Sequence, residues 1–282
     1  MSSPWSSAQQ ALQSLGVRLR EIRTDAGLSG LVLAERAGWH SSKVSKIEHA
    51  RQRPTPEDVR RWCEVCDAVE EVADLVQTLR SVEEMFVSWR RLECSGFDAI
   101  NRSVQPLWER TRRFRIYQSQ LVPGPLQTSS YIATVLFGVR NLRTVPDDVA
   151  ATVQTRLDRQ RVVREGDHRF AVVLEESVLR HPVGGTEAMA GQLGHLLEAA
   201  SLPSVALGVI PLGADRSAML PVEGFWMFDD VQLDVELVSG FLRITQPGEI
   251  AMYGRTFSLL AEQAVYGAQA RALINAAIEA LT

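Results

Sequence analysis

One segment, Leu15 to Thr55, constrains the fold of this chain more than any other part of the sequence. It predicts two short helices joined by a tight turn, because its apolar residues recur at helical spacing. Gly38 stands between these helices, where a sharp bend favours a residue that tolerates a positive φ. Ala34 and Ala37 are small enough for the helices to approach closely. The residues predicted to point inward are Leu33, Val44 and Ile47, and polar residues fill the outward positions of Ser41 to His49.

The second helix of this pair carries the side chains expected of a DNA-contacting surface. Ser41 and Ser42 open it, so their hydroxyl groups and backbone amides lie at the positive end of the helix, which can receive a phosphate or a base edge. The only two lysines in the chain follow on its outward face, although there are 28 arginines elsewhere. The alternative is a solvated charged face on a helix used for protein contact. The candidate DNA-binding residues are Ser41, Ser42, Lys43, Lys46, Arg51 and Arg53.

This segment resembles the helix-turn-helix of the Xre family, the phage-repressor (Cro/CI) type of transcriptional regulator. The resemblance implies a mainly α, five-helix domain whose second helix of the pair lies in the major groove of DNA. It implies that Arg51 and Arg53 clamp the DNA backbone. It also implies that the base-reading residues are Ser41, Ser42 and Lys46.

The same resemblance assigns Arg23 and Glu48 to a buried ion pair that ties the first helix to the end of the reading helix. Glu48 is therefore expected to be structural and to face away from DNA. The sequence departs from the family pattern at two positions. Gly30 stands where Gln is usual, which removes a phosphate contact and lowers helix propensity. His40 replaces the usual Ser or Thr cap, so we expect Ser41 to cap the helix and shift its start by one residue.

Length and composition predict two globular domains without a membrane span. The chain has 282 residues, which is long for one domain, and 45% of them are hydrophobic. It lacks the long apolar run of a membrane helix and the basic, apolar start of a signal peptide, so we expect a cytoplasmic protein that associates with the nucleoid when bound to DNA. The predicted order is a disordered lead at 1–14, a helix-turn-helix domain at 15–68, a linker helix at 69–94 and an α+β regulatory domain at 95–282.

Three cysteines suit a reducing compartment better than a disulfide framework. Cys63 and Cys66 form a CxxC motif, but a metal site would require a second ligand pair, and a redox site would require a preceding thioredoxin-like strand. Their helical spacing with Val59 and Trp62 favours a core role instead. We therefore expect no metal and no cofactor.

The two parts of the chain differ in charge. Residues 15–66 carry 10 Lys and Arg against 7 Asp and Glu, a formal charge of +3, whereas the whole chain is −4 and the remainder is therefore −7. A basic module joined to an acidic body is typical of a protein that binds DNA through one surface.

The segment after Asp67 predicts an amphipathic linker helix, because apolar residues from Val72 to Trp89 recur near every 3.6 residues. That apolar stripe must pack against its own chain or against a second copy of it. A homodimer is expected on DNA.

Beyond Phe97 the sequence pattern predicts a mixture of helices and strands. Strands are predicted around Phe114 and Ile116 and at 170–174, 204–210, 225–228 and 231–238. Helices are predicted at 128–139, 146–164, 187–200, 249–264 and 269–281.

The second half resembles a regulatory domain of actinomycete helix-turn-helix proteins similar to the WhiJ group. Such proteins are developmental or toxin–antitoxin-like regulators, often accompanied by a small partner protein encoded nearby. The resemblance is carried by Pro123, Gly124, Leu126, Gln127, Tyr131, Arg156, Arg159, Gln160, Glu175, Leu179, Gly184, Gly185, Gln192 and Leu193. Four of these, Arg156, Arg159, Gln160 and Glu175, are candidates for a regulatory cluster, and the first three form either an internal hydrogen-bond network or an anion site.

Three functions remain open for the second half. The first is control of a DNA-binding repressor or antitoxin-like regulator by a small protein partner. The alternative is a small-molecule-sensing repressor, with a ligand pocket lined by Phe225, Trp226 and Phe228 unless these form a core. An enzyme is the least expected, because adjacent Glu175 and Glu176 diverge on either a strand or a helix and no nucleophile motif is present.

Overall fold

The computed structural model describes residues 5–88, 96–142, 148–238 and 240–281. The chain divides into two compact units, Met1–Val87 and Ser88–Thr282. Within the described residues, no helix combines the length and the apolar character needed to cross a membrane.

The N-terminal unit is helical and is built around one apolar core. Its helices are α1 (Trp5–Asp25), α2 (Gly30–Ala37), α3 (Ser41–Glu48), α4 (Pro56–Val65) and α5 (Val72–Met85). A short strand, β1 (Phe86–Ser88), follows. The core contains Leu15, Leu19, Ile22, Leu33, Val44, Ile47, Val59, Trp62, Cys63, Leu75, Val76 and Leu79. Trp62 also donates its indole N–H to the backbone oxygen of Leu19 at 3.0 Å, which joins α4 to α1.

The start of the chain differs from the prediction of a disordered lead at 1–14. Helix α1 begins at Trp5, and Leu12 packs against the same core as Leu15 and Leu19. The apolar stripe of α1 therefore starts before the predicted domain boundary, and the intervening Ala and Gln residues have high helix propensity. Residues 1–4 lie outside the described residues.

The structure also differs from the prediction of a linker helix at 69–94. Residues Val69–Glu71 form a 3-10 turn, α5 occupies Val72–Met85, and the chain becomes extended at Phe86. Leu75, Val76 and Leu79 are buried in the N-terminal core, so α5 is a fifth helix of this domain rather than a free connector. The aromatic and β-branched residues Phe86 and Val87 favour the strand that ends the helix. Residues 89–94 lie outside the described part.

The C-terminal unit combines helices with a mixed sheet, which confirms the predicted α+β class. Its helices are α6 (Phe97–Ser103), α7 (Gln105–Arg110), α8 (Ser129–Leu142), α9 (Val149–Arg159), α10 (Glu176–Arg180), α11 (Gly185–Ala199), α12 (Pro247–Gln263) and α13 (Gly267–Glu279). Its strands are β2 (Arg113–Gln118), β3 (Arg169–Glu175), β4 (Val205–Ile210), β5 (Phe225–Phe228), β6 (Gln232–Glu236) and β7 (Gly240–Ile244).

Within this unit the strands lie in the order β7-β6-β5-β2-β3-β4. Strands β2, β3 and β4 are parallel, and the helices between them provide the crossover connections that parallel pairing requires. Strands β5, β6 and β7 add to the β2 edge in antiparallel fashion. The predicted strand at 231–238 is shorter, and β7 was not predicted from the sequence. Asp229, with φ of 51°, forms part of the predicted turn between β5 and β6.

Side chains on opposite faces of this sheet enter different layers, because successive strand residues alternate in direction. Phe114 stacks on Phe170 with ring centroids 4.3 Å apart, within a core completed by α8, α11 and α13. Phe225 faces α12 instead, and its ring meets that of Tyr253 edge-on at 5.0 Å. The aromatic residues Phe225, Trp226 and Phe228 of β5 therefore pack in cores, which is the second of the two alternatives left open by the sequence.

Candidate nucleic-acid interface

The turn between α2 and α3 has the geometry predicted from Gly38. Ser29 caps α2 by accepting a hydrogen bond from the Val32 backbone N–H. Gly38 ends that helix in the left-handed conformation, with φ of 75°, and the following Trp39 N–H reaches the oxygen of Ala34 at 2.8 Å. Because an L side chain at such a φ is strained, glycine permits the abrupt change of direction that starts α3.

Helix α3 is capped by His40, not by Ser41 as expected. The Nδ1 atom of the His40 ring accepts the backbone N–H of Ser42 at 3.3 Å and lies 2.8 Å from the Ser42 hydroxyl. Since a neutral imidazole nitrogen is an acceptor, histidine can take the role of the usual Ser or Thr. The helix therefore begins at Ser41 without the predicted shift.

Helix α3 has one buried face and one open face. Val44 and Ile47 enter the core, whereas Ser41, Ser42 and Lys46 are exposed. The chain then turns at Ala50, which has φ of 52°. Arg51 and Arg53 follow with exposed side chains, and partial desolvation by the neighbouring protein lowers the pKa of Arg53 from its ordinary value. Neither Lys46 nor Arg51 forms an ion pair within the described residues. Five of the six predicted DNA-binding residues thus lie on or directly after α3 with exposed side chains.

Lys43 differs from the other predicted DNA-binding residues. Its Nζ donates to Oδ1 of Asp58 at 2.6 Å and lies 4.5 Å from the centre of the Trp39 ring. Burial alone would raise the pKa of Asp58, but the hydrogen bonds from Lys43 and Thr55 lower it below its usual value. Asp58 and Thr55 also form a capping box at the start of α4. Lys43 therefore fastens α3 to α4, which sequence analysis missed because Asp58 is fifteen residues further along the chain.

Arg23 and Glu48 form an ion pair at the other end of α3. The Arg23 Nε and NH2 atoms donate to the two Glu48 carboxylate oxygens at 2.6 and 3.3 Å. The third nitrogen of Arg23 donates to the backbone oxygen of Leu28 at 2.6 Å. The Glu48 side chain is only 8% exposed. This acid is thus neutralised inside the domain, which leaves the open face of α3 without its charge.

Gly30 is the first residue of α2, and a Cβ there would lie 3.5 Å from Cγ1 of Val44. That distance is an ordinary van der Waals contact, so sterics do not require glycine at position 30. Compared with the Gln expected from the Xre resemblance, Gly30 lacks one polar side chain.

Cys63 and Cys66 are buried in the core as predicted, and burial raises the pKa of Cys63 to about 11. Cys94 lies outside the described residues. Among the described side chains no group of potential metal ligands occurs.

The four candidate residues of the second domain do not form one cluster. Arg156 and Arg159 bind Asn101 on α6, and Gln160 donates to the backbone oxygens of Gly124 and Gln127. Glu175 is separate: its Oε1 accepts from the Tyr117 hydroxyl and from Arg216, each at 2.7 Å. Glu175 lies at the end of β3, whereas the other three residues lie on α9 or directly after it. Residues that share a sequence resemblance are therefore not all in contact with one another.

Two protein-family models match the chain. Residues 14–76 match a model described as a helix-turn-helix domain. Residues 107–276 match a model described as a domain of unknown function, DUF5753. The first match spans α2, α3 and α4 with the second half of α1 and the start of α5. The second spans β2 through most of α13.

A comparison with curated proteins found no match to this sequence. Among solved structures, one similar chain is that of TrmBL2, an archaeal chromatin protein whose structure is described as showing a novel mode of DNA binding. The identity is 10%, the TM-score is 0.30, and the alignment covers 85% of this chain and 88% of that one. At this TM-score the likeness supports no inference about function.

The ion pair at the end of α3 generates a stability prediction. Replacing Glu48 by Ala leaves Arg23 without its carboxylate, and breaking such a buried pair typically costs about 3–5 kcal/mol of unfolding free energy. The matched control is Glu64→Ala, because the Arg61–Glu64 pair is solvent-exposed and is expected to contribute less than about 1 kcal/mol. Hydrogen exchange of the slowest α1–α4 amides in the full chain measures both effects. Equal losses in the two variants would contradict the structural role of Glu48.

Proposed function

Because the chain belongs to the DUF5753 family and carries a helix-turn-helix domain ahead of that family's domain, we propose that it is a sequence-specific DNA-binding transcriptional regulator. The observation that carries the proposal is the open polar face of α3. Ser41, Ser42 and Lys46 are exposed there, while Val44 and Ile47 fix the opposite face in the core. The Xre subtype and an antitoxin-like role in an actinomycete are parts of the same proposal and rest on sequence resemblance.

The exposed residues divide into two roles by position. Lys46 lies in the last turn of α3, on the face that would enter a major groove, and is proposed to read base edges together with Ser41 and Ser42. Arg51 and Arg53 lie in the loop after the helix and are proposed to grip phosphates. Lys43 is proposed to position α3 through its ion pair with Asp58, and binding to DNA is only its secondary role.

Two substitutions separate phosphate binding from base reading. Arg51→Ala should weaken binding to every duplex and reduce the slope of log affinity against log salt by about one, the change expected for one lost phosphate contact. Lys46→Ala should instead relax preference at about one or two base positions. Mobility-shift titrations across a salt series, with the genomic site and scrambled duplexes, measure both quantities.

The control for these variants is Arg113→Ala, which removes one exposed arginine from β2 in the other unit. It should leave both the affinity and the salt slope unchanged. If Arg51→Ala and Lys46→Ala bind every duplex as the wild type does, the assignment of α3 and its following loop to DNA is wrong.

We propose that the regulator binds DNA as a homodimer and acts as a repressor. One reading helix contacts few base pairs, and regulators of this kind gain specificity from two half-sites about one helical turn apart. Leu75, Val76 and Leu79 of α5 pack inside the N-terminal core, so we do not assign the dimer interface to this part of the predicted linker helix. The C-terminal unit is proposed to supply that surface.

Light scattering on the DNA complex should therefore give two chains of 31.3 kDa per duplex. Footprinting should show a repeated half-site with about 10 base pairs between centres. Fusing a reporter promoter to that site should lower its expression when the protein is present. One chain per duplex on a single, unrepeated half-site would contradict the dimer.

We propose further that the second domain is not an enzyme and that a small protein partner controls DNA binding through it. The resemblance to regulators that act with a small partner protein supports this control.

The second candidate is a small-molecule-sensing repressor, which is favoured by an open groove of about 770 Å³ in the C-terminal unit. That volume is in the range of ligand sites. The groove is lined by Arg102, Gln105, Thr155, Leu157, Asp158, Gln160, Arg161, Arg164 and Glu165.

A controlling partner must bind the free and the DNA-bound regulator with different affinities, because an effector shifts an equilibrium only by that difference. Co-purification from the native host should recover a small protein with the full chain and not with residues 1–94. The recovered protein, once purified, should change the dissociation constant for the operator duplex. If both baits recover the same proteins, or if the added protein leaves operator affinity unchanged, the small-molecule candidate replaces partner control.

A further inference from the structure

Two arginines of α9 converge on one residue of α6. Arg156 donates from Nε to Oδ1 of Asn101 at 3.2 Å, and Arg159 donates from NH1 to the backbone oxygen of Asn101 at 3.1 Å. Both arginines are half-buried, and Asn101 is buried. Because both arginines bind oxygen atoms of the same residue, their guanidinium groups lie close enough for their charges to interact.

Within the described residues, neither of these two arginines is hydrogen-bonded to a carboxylate. The nearest acid on α6, Asp98, already binds Arg102 and the Thr155 hydroxyl. Arg159 instead lies over the indole ring of Trp108, with its guanidinium carbon 4.4 Å from the ring centre. Burial lowers the pKa of both arginines, and the charge of Arg156 lowers that of Arg159 further; the charge of Glu236 opposes the shift of Arg156.

The hydrogen bonds that position the two guanidinium groups go to neutral oxygen atoms, and other N–H donors of both groups stay unused. Arg156 uses its Nε, which leaves both terminal nitrogens without a hydrogen bond to the described residues, and Arg159 uses one terminal nitrogen. Both arginines are only partly buried, so part of each side chain remains open to solvent. Adjacent guanidinium groups repel each other, and desolvation makes the repulsion stronger. An oxyanion with two or more oxygen atoms would relieve the repulsion and accept the unused N–H groups.

We propose that Arg156 and Arg159 form an oxyanion-binding site in the C-terminal unit, for a ligand that presents a phosphate or a carboxylate group. Asn101 positions both guanidinium groups, and Trp108 supports the flat face of Arg159. The site lies in a different unit from the proposed DNA-contacting residues, so the inference holds whether or not the protein regulates transcription.

Isothermal titration of the full chain with inorganic phosphate, at constant ionic strength maintained with sodium chloride, tests the site. A second titration with acetate distinguishes phosphate from carboxylate as the preferred group. Wild type should bind one phosphate or acetate per chain at this site, and Arg156→Gln and Arg159→Gln should each weaken that binding about tenfold or more, the loss expected for a charge-assisted hydrogen bond. Arg156→Lys keeps the charge but loses the planar fork, and should bind with intermediate affinity.

Two controls separate this site from others. Arg271→Gln removes a half-buried arginine of α13 that donates to the Ser201 hydroxyl, and should leave binding unchanged. Arg51→Ala tests whether the anion occupies the proposed DNA surface, and should also leave binding unchanged. The absence of saturable binding of either anion to wild type would overturn the proposal. Binding that Arg156→Gln and Arg159→Gln leave intact, or that Arg51→Ala abolishes, would do the same.

Discussion

The contact between the end of α3 and helix α1 is the constraint on which the N-terminal unit depends. Arg23 neutralises Glu48 with two hydrogen bonds and ties the α1–α2 turn through the Leu28 oxygen. At the same helix crossing, a Cβ added to Gly16 would lie 2.7 Å from the backbone oxygen of Glu48 and 2.8 Å from that of Ile47. Only glycine allows the backbones to come this close, so sterics and charge fix the same junction.

The remaining contacts of α3 complete its orientation. Gly38 sets the angle from α2, Val44 and Ile47 enter the core, and Lys43 reaches Asp58 at the start of α4. A buried ion pair adds little net stability because desolvation offsets attraction, yet removing one partner is costly. Such a pair therefore specifies a position more than it stabilises one. The consequence for function is a rigid support from which Lys46 and Arg51 project.

The sequence predicted the features that depend on residues close together in the chain. The Gly38 turn, the buried positions Val44 and Ile47, and the α+β class of the second unit all follow from periodicity and backbone preference. The role of Lys43 did not, because its partner Asp58 lies on another helix and a lysine on an outward face looks the same in either role. The separation of Glu175 from Arg156 likewise depends on how β3 and α9 pack. Strand β7 was missed because it is short and begins with a glycine, a residue type that is depleted in strands.

Hydrogen exchange of the full chain with and without the operator duplex tests the central claim, that α3 and the loop after it contact DNA. The account predicts that slowed exchange on adding the operator is greatest in peptides covering 41–53, and that a scrambled duplex gives a smaller effect there. Protection confined to the C-terminal unit, with 41–53 exchanging equally in both states, would contradict the account.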